Sequence, residues 1–164
     1  MAVEDKYVDA SIVAGKNTNP AFSQGAQLMA AVATFETAAA DDNDSVYRVF
    51  KGVPGDLIVL QLKAACDAVT GMSDVNVGLW ETNLGPVVSE NCFADAVDLS
   101  SAVAFGSEKD LLISLGVEKI QKRIYEVGGH TIITRKPSYD IALKAVAAAS
   151  TIGTVSVRAL FLQA

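Results

Sequence analysis

The stretch from residue 55 to residue 82 constrains the fold most, because it has the pattern of two β-strands joined by a polar turn. Residues 57–65 begin apolar and then alternate, which predicts Leu60 and Leu62 on the same face of a strand. Residues 75–80 alternate more regularly and are rich in β-branched and aromatic side chains. The residues between the two strands include glycine, serine and aspartate, which favour turns. This stretch therefore predicts the centre of a β-sandwich.

Further short strands are predicted along the rest of the chain, separated by turns rich in glycine, proline and asparagine. They are residues 28–37, 45–53, 86–89, 97–105, 139–147 and 154–163. The alanine content of the first of these leaves a helix as its alternative. About eight strands at short spacing, without alternating helices, favour a mainly β fold and disfavour a parallel α/β sheet. We predict an antiparallel two-sheet sandwich of the jelly-roll type.

One short helix is predicted near residue 120, where the apolar period changes from two residues to between three and four. The apolar stripe consists of Leu112, Leu115, Ile120, Ile124 and Val127. Gly116 interrupts this stripe, so the helix is predicted over residues 117–126 only. Gly128 and Gly129 then end it, since glycine favours helix termini.

An extended N-terminal arm is predicted ahead of the sandwich. Residues 1–27 contain glycine, asparagine and proline and show little periodicity outside residues 7–13, where one short strand is predicted. Such a segment is either ordered by a neighbour or a frayed terminus, and the residues leave both interpretations open. The predicted organisation is an N-terminal arm at 1–27 and one β-sandwich (jelly-roll) domain at 28–164.

Charge and hydropathy exclude several classes of function. The net charge of −6 and the pI of about 4.7 argue against nucleic-acid binding, because such proteins usually carry a basic stripe. No run approaches the roughly 18 apolar residues of a membrane helix, so no membrane association is predicted. The N-terminus has no secretory pattern, which predicts folding in the cytoplasm. Apolar residues make up 51% of the chain and charged residues only 20%, which favours surface covered by a partner protein.

Residues able to perform chemistry are few and scattered. His130 is the only histidine and is interpreted as a hydrogen-bonding loop residue. Cys66 and Cys92 are too few for a disulfide framework or, with one histidine, a zinc site. Reduced thiols are predicted, with a Cys66–Cys92 pair as the alternative if the strands bring the two together. The acidic stretch 41–45 does not match a calcium-binding loop, because the twelfth residue counted from Asp41 is Gly52, where such a loop needs a glutamate. A solvated turn is therefore predicted. We therefore predict no enzymatic activity, no metal and no cofactor.

Four segments in the middle of the chain carry a recognisable order of packing residues. They are DLIVLQLKAACDAVTG at 56–71, DVNVGLWETN at 74–83, GPVV at 85–88 and FADAVDLSSA at 93–102. This order resembles the small jelly-roll capsid cement (decoration) proteins of tailed bacteriophages. In that family an Ala-Cys-Asp-Ala-Leu-Thr-like segment precedes a Val-Gly-Leu-Tyr strand, and a Phe-Ala-x-Ala-Val-x-Leu segment follows. Trp80 stands where the family has tyrosine, and the arm is not covered.

The resemblance implies a non-enzymatic virion structural protein that is made in the bacterial host cytoplasm and bound to the outer capsid surface. Its implied partners are the major capsid protein and further copies of itself, as a homodimer or homotrimer. On this hypothesis the arm supplies contact residues: Tyr7, Val8, Ile12, Val13, Pro20 and Phe22. Two alternatives remain, which are a head–tail or tail structural component and a carbohydrate- or receptor-binding β-sandwich module. The latter requires aromatic side chains exposed on one face.

Overall fold

Ten strands account for most of the ordered backbone. The computed structural model describes the backbone of residues 5–7 and 10–15 and the complete residues 27–39, 41–147, 149 and 151–163. The strands are β1 Asp5–Tyr7, β2 Ala10–Gly15, β3 Gln27–Thr37, β4 Ser45–Pro54, β5 Leu57–Cys66, β6 Val75–Glu81, β7 Val87–Val97, β8 Lys109–Asp110, β9 Ser138–Ala145 and β10 Gly153–Gln163. Within these residues, helical structure is limited to a 3-10 turn at Val117–Lys119 and α1 at Ile124–Val127.

The strands form two five-stranded sheets packed face to face. Sheet A has the order β1-β4-β9-β6-β7, and sheet B has the order β2-β3-β10-β5-β8. The pairings are antiparallel except for β1, which runs parallel to β4. From β3 to β10 the chain crosses between the sheets at every connection except β6–β7. Because the early strands β3 and β4 pair with the late strands β10 and β9, the predicted jelly-roll sandwich is confirmed.

Alternating side chains of β3 and β10 in sheet B build one side of the core between the sheets. In β10 the side chains of Val155, Val157, Ala159 and Phe161 are buried, while the residues that alternate with them are partly exposed. The strand β3 buries Ala31, Ala33 and Phe35 in the same way, so the helix alternative for this alanine-rich segment is wrong. β3 pairs with β10 along its whole length, and this pairing selects the strand.

Irregular pairing accounts for three errors in the sequence-based prediction. Leu60 does not share the inward face with Leu62, because β5 carries a bulge there: Val59 and Gln61 pair with consecutive residues of β10, and Leu60 is exposed. The strand predicted at 97–105 is a loop with one isolated bridge, between Cys66 and Val103, and the strand predicted at 86–89 extends to Val97 as one bulged strand, β7. Its end is fixed by Asp98, whose carboxylate accepts hydrogen bonds from the amide and the hydroxyl of Ser100.

The helix predicted over residues 117–126 does not form as one element. Arg123 has an extended backbone and forms an antiparallel bridge with Ile58, which prevents a helix from running through it. The helix α1 starts after Arg123, and the Glu126 carboxylate accepts a hydrogen bond from the Arg123 amide at 2.9 Å. The apolar stripe is also not buried as a unit, since Ile120 is 52% exposed and Ile124 is fully buried.

The strand directions define two ends of the sandwich. At one end lie the turn and loops that follow β4, β6 and β8, which are residues 55–56, 82–86 and 111–137. We call residues 111–137 the cap segment and this end the cap end. At the opposite end lie the described residues of the loops 38–44, 67–74, 98–108 and 146–152.

Candidate functional site

A buried ion pair lies under the outer face of sheet A near the cap end. Arg48 of β4 donates from Nη1 to Asp140 Oδ2 of β9 at 3.1 Å, and both side chains are only 1% exposed. Arg48 also donates to the carbonyl oxygens of Glu81, at 2.7 Å, and Gly85, at 2.8 Å. Asp140 Oδ1 accepts a hydrogen bond from the Gly52 amide at 2.8 Å. One ion pair therefore positions the end of β4 and the loop between β6 and β7.

The loop 82–86 presents an apolar side chain in an unusual backbone conformation. Asn83 and Leu84 both have positive φ angles, of 58° and 57°. This region is uncommon for residues other than glycine and costs on the order of 1–3 kcal/mol per residue. Leu84 is 53% exposed, so burial of its side chain does not offset that cost. The hydrogen bonds from Arg48 to both ends of the loop stabilise it instead.

Two open clefts flank this loop. One has a volume of about 470 Å³ and is lined by Lys51, Gly52, Thr82, Asn83, Ser138 and Asp140. The other has a volume of about 500 Å³ and lies on the side of Lys144 and Trp80. Trp80 packs with Val46 and Ala142 on the outer face of sheet A and is 4% exposed, so its ring is not available for stacking on a ligand.

Lys144 crosslinks the outer face of sheet A. Its Nζ lies 2.9 Å from Glu90 Oε2 and 2.9 Å from Asp44 Oδ1. The hydrogen bonds to Glu90 and to Asp44 raise the pKa of Lys144, so its charge is retained throughout the neutral range. Glu90 belongs to the bulged part of β7, and Lys144 therefore joins this bulge to the turn before β4.

The cap segment is fixed to both sheets. The Tyr125 amide donates to the Gly55 carbonyl at 3.2 Å, and the Gly55 amide donates to the Pro137 carbonyl at 3.0 Å. Arg135 forms an ion pair with Asp56, and Lys136 lies 3.3 Å from Glu81 Oε1. Four side chains of the segment are buried in or beside the core: Leu111, Ile124, Tyr125 and Val127.

His130 is a hydrogen-bonded residue of the cap segment. Its Nδ1 lies 2.7 Å from the Tyr139 hydroxyl oxygen, which also accepts a hydrogen bond from the Lys136 amide at 2.8 Å. This arrangement joins the cap segment to the beginning of β9. It agrees with the interpretation of His130 as a loop residue that makes hydrogen bonds.

Both cysteines are free and buried, as the sequence predicts for reduced thiols. Burial raises the pKa of the Cys92 thiol to about 12, and desolvation also raises that of Cys66. A thiol with a raised pKa is a poor nucleophile at neutral pH, because the thiolate is the reactive form. Both side chains act as small apolar groups in this fold.

The acidic stretch 41–45 forms a hydrogen-bonded turn. Asp41 is 3% exposed, and its Oδ2 accepts hydrogen bonds from the Tyr47 hydroxyl at 2.7 Å and from the Ala38 amide at 2.9 Å. The turn is therefore solvated only in part, which corrects the sequence-based prediction. Across the described residues, no three His, Cys, Asp or Glu side chains are grouped as metal ligands. Each helix in the same residues is too short to cross a bilayer.

The arm residues predicted to make contacts divide into two groups. Tyr7 lies in β1 opposite Arg48, while Ile12 and Val13 lie in β2 opposite Ala31 and Ala30. The other three lie outside the described residues: Val8, Pro20 and Phe22. The described backbone of the arm thus adds one edge strand to each sheet. The role of these residues in contacts stays a prediction.

Sequence analysis missed the ion pair, although one signal for it is visible. Arg48 and Asp140 each lie between aromatic and apolar neighbours within a strand, where a buried charge is rare unless it is paired. They are 92 residues apart in sequence, so only the pairing of β4 with β9 brings them together.

Comparison with known proteins supports the fold. No protein-family model matches the chain, and no curated protein sequence matches it. Among solved structures, a chain described as the cyanophage Pam1 capsid asymmetric unit is similar, with a TM-score of 0.55. The match covers 92% of this chain and 94% of that chain at 12% sequence identity. At this identity the likeness establishes a shared architecture over nearly the whole of both chains.

Proposed function

We propose that this protein is a non-enzymatic structural protein of a phage virion. More specifically, we propose a capsid cement (decoration) protein on the outer surface of the head, where it stabilises contacts between major capsid protein subunits as a homodimer or homotrimer. The observation that carries the proposal is the end-to-end likeness to a chain of a phage capsid asymmetric unit. The resemblance of the four segments within residues 56–102 to cement proteins supports the same function.

The charge of the chain supports a position outside the shell. A net charge of −6 is unfavourable next to packaged DNA, because the phosphate backbone repels anionic surfaces. Many copies on one shell gain strength by multivalency, so each contact can be individually weak.

Sedimentation of intact phage heads tests this function. We expect the protein to co-sediment with heads at a copy number on the order of the major capsid protein's, and its removal by mild denaturant to lower head stability. About six or twelve copies per particle would instead indicate a ring at the head–tail junction or in the tail. Absence from purified particles would reject a virion role altogether.

A carbohydrate-binding module is less well supported. Such a module needs exposed aromatic rings, and among the aromatic side chains of the described residues only Phe105 is exposed. A single exposed ring does not form a binding face for a sugar.

The N-terminal arm is proposed to contribute contacts as well. The proposed contact residues remain Tyr7, Val8, Ile12, Val13, Pro20 and Phe22. We expect Phe22→Ser to weaken retention on heads about tenfold, since aromatic side chains often dominate interface energies. Thr18→Ala, a conservative change in the same segment, serves as the control. Equal retention of the two variants would remove Phe22 from the proposed interface.

A further inference from the structure

Exposed apolar side chains are concentrated at the cap end of the sandwich. The large apolar residues that are more than half exposed in its loops are Leu84, Ile113, Val117, Ile120, Ile132 and Ile133. Ile133 is 90% exposed, and the loops of the opposite end contribute fewer such residues. Isolated exposed apolar residues are common, but a concentration at one end marks a contact surface.

The two ends also differ in charge. The cap-end loops, residues 55–56, 82–86 and 111–137, contain five Lys or Arg and three Asp or Glu, which gives +2. The loops of the opposite end contain seven Asp or Glu and no Lys or Arg, which gives −7. Within the cap segment, Arg123 and Arg135 are near Asp56, and Lys136 is near Glu81. Lys119 and Lys122 take part in none of these ion pairs and are the lysines of the cap segment left to contact a partner, while Glu118 and Glu126 offset part of the positive charge of the segment.

The exposed side chains lie on backbone that is held in place. The hydrogen bonds between Gly55 and the residues Tyr125 and Pro137 attach the cap segment to the turn between β4 and β5. The Arg48–Asp140 pair fixes the loop that carries Leu84. A surface ordered in the free protein loses little conformational entropy when it binds.

We propose that the cap end is the face that binds the shell, and that its partner is an acidic protein surface of the shell with apolar side chains at its centre. This inference rests on the proposed function. The excess positive charge is complementary to such a surface, and the exposed isoleucines and Val117 supply the apolar centre of the interface. The acidic end then faces solvent, where its charge keeps decorated particles apart.

Two other partners fit this surface less well. Nucleic acid is recognised mainly through phosphate contacts by Lys and Arg, and the exposed isoleucines gain nothing from a phosphate backbone. Binding of the cap end to the acidic end of a second copy would be a head-to-tail contact, which forms open filaments unless it closes into a ring.

Paired variants at the two ends test the proposal. The binding isotherm of each variant would be measured on heads from which this protein has been removed. We expect V117D/I133D to weaken binding at least about tenfold, because it places charge in the apolar centre. F105D/I152D at the opposite end is the matched control, since Phe105 and Ile152 are also at least 70% exposed, and we expect less than about a twofold change.

A second pair of variants tests the charge. We expect K119E/K122E to weaken binding about tenfold at low salt and less at high salt, because salt screens exposed charges. K63E/K109E changes the net charge of the chain equally but alters sheet B, and it should bind as the unmodified protein does. Thermal unfolding of all four variants verifies that each is folded.

The outcomes separate this inference from the proposed function. If the unmodified protein does not bind heads, the proposed function fails and the inference fails with it. If it binds, and cap-end and control variants bind equally well, only the inference is overturned. The inference is also overturned if V117D/I133D abolishes self-association without changing head binding, or if double-stranded DNA competes with heads for the unmodified protein.

Discussion

Replacing Arg48 with methionine is expected to lower the free energy of unfolding by about 3–5 kcal/mol, because removal of one partner leaves a buried charge uncompensated. Asp140 would keep only its hydrogen bond from the Gly52 amide among the contacts described above, and the carbonyl groups of Glu81 and Gly85 would lose their donor. Urea unfolding followed by the fluorescence of Trp80, the only tryptophan, measures the change.

Lys144→Met is the matched control for this variant. It also removes a cation from the outer face of sheet A, but the partners Glu90 and Asp44 are 43% and 57% exposed. Exposed ion pairs contribute at most about 1 kcal/mol to stability, so only a small decrease in the free energy of unfolding is expected. The double variant R48M/D140L should recover part of the stability lost in R48M, since no buried charge remains. If R48M lowers the free energy of unfolding no more than the Lys144 variant does, the result contradicts this account.

Gly78→Ala is expected to destabilise the protein by about 3 kcal/mol or more, beyond the usual cost of overpacking a core. A methyl group at this position would lie 2.0 Å from the Ser89 carbonyl oxygen and 2.4 Å from the Glu90 carbonyl carbon. These are backbone atoms of the β7 bulge, which crosses the outer face of β6 at Gly78. The bulge must move outward, and Glu90 then moves away from Lys144.

Gly106→Ala separates the steric effect from the backbone preference of glycine. Gly106 has a φ of 94°, and no other atom lies within 4 Å of an added methyl group. Its substitution should cost only about 1–2 kcal/mol, the penalty for a left-handed conformation. Thermal or urea unfolding of both variants measures the difference. If the two substitutions lower stability equally, the close approach of β7 is not the reason why position 78 requires glycine.

Local pattern predicted much of this fold and little of its contact surface. The alternation in β10 is uninterrupted, so its buried face follows from the sequence. In β6 the sequence alternates too, but the strand is buried on both faces, which the pattern does not predict. The bulge at Leu60 was not predictable, because it depends on how β10 pairs with β5. The prediction of a helix over residues 117–126 was wrong for a similar reason, since the bridge between Arg123 and Ile58 overrides the local apolar period. The Arg48–Asp140 pair requires the register of β4 with β9.

The central position of β10 has a consequence for how the chain reaches its fold. β10 lies between β3 and β5, and β9 lies between β4 and β6, so both sheets are completed by strands that are synthesised late. Until residues 153–163 leave the ribosome, β3 and β5 have no shared partner, and among the described strands the pairings between consecutive strands are limited to β2–β3 and β6–β7. Folding dominated by such distant pairings is slow, and unpaired strand edges invite aggregation in the meantime. The nascent chain is therefore most vulnerable just before β10 is made.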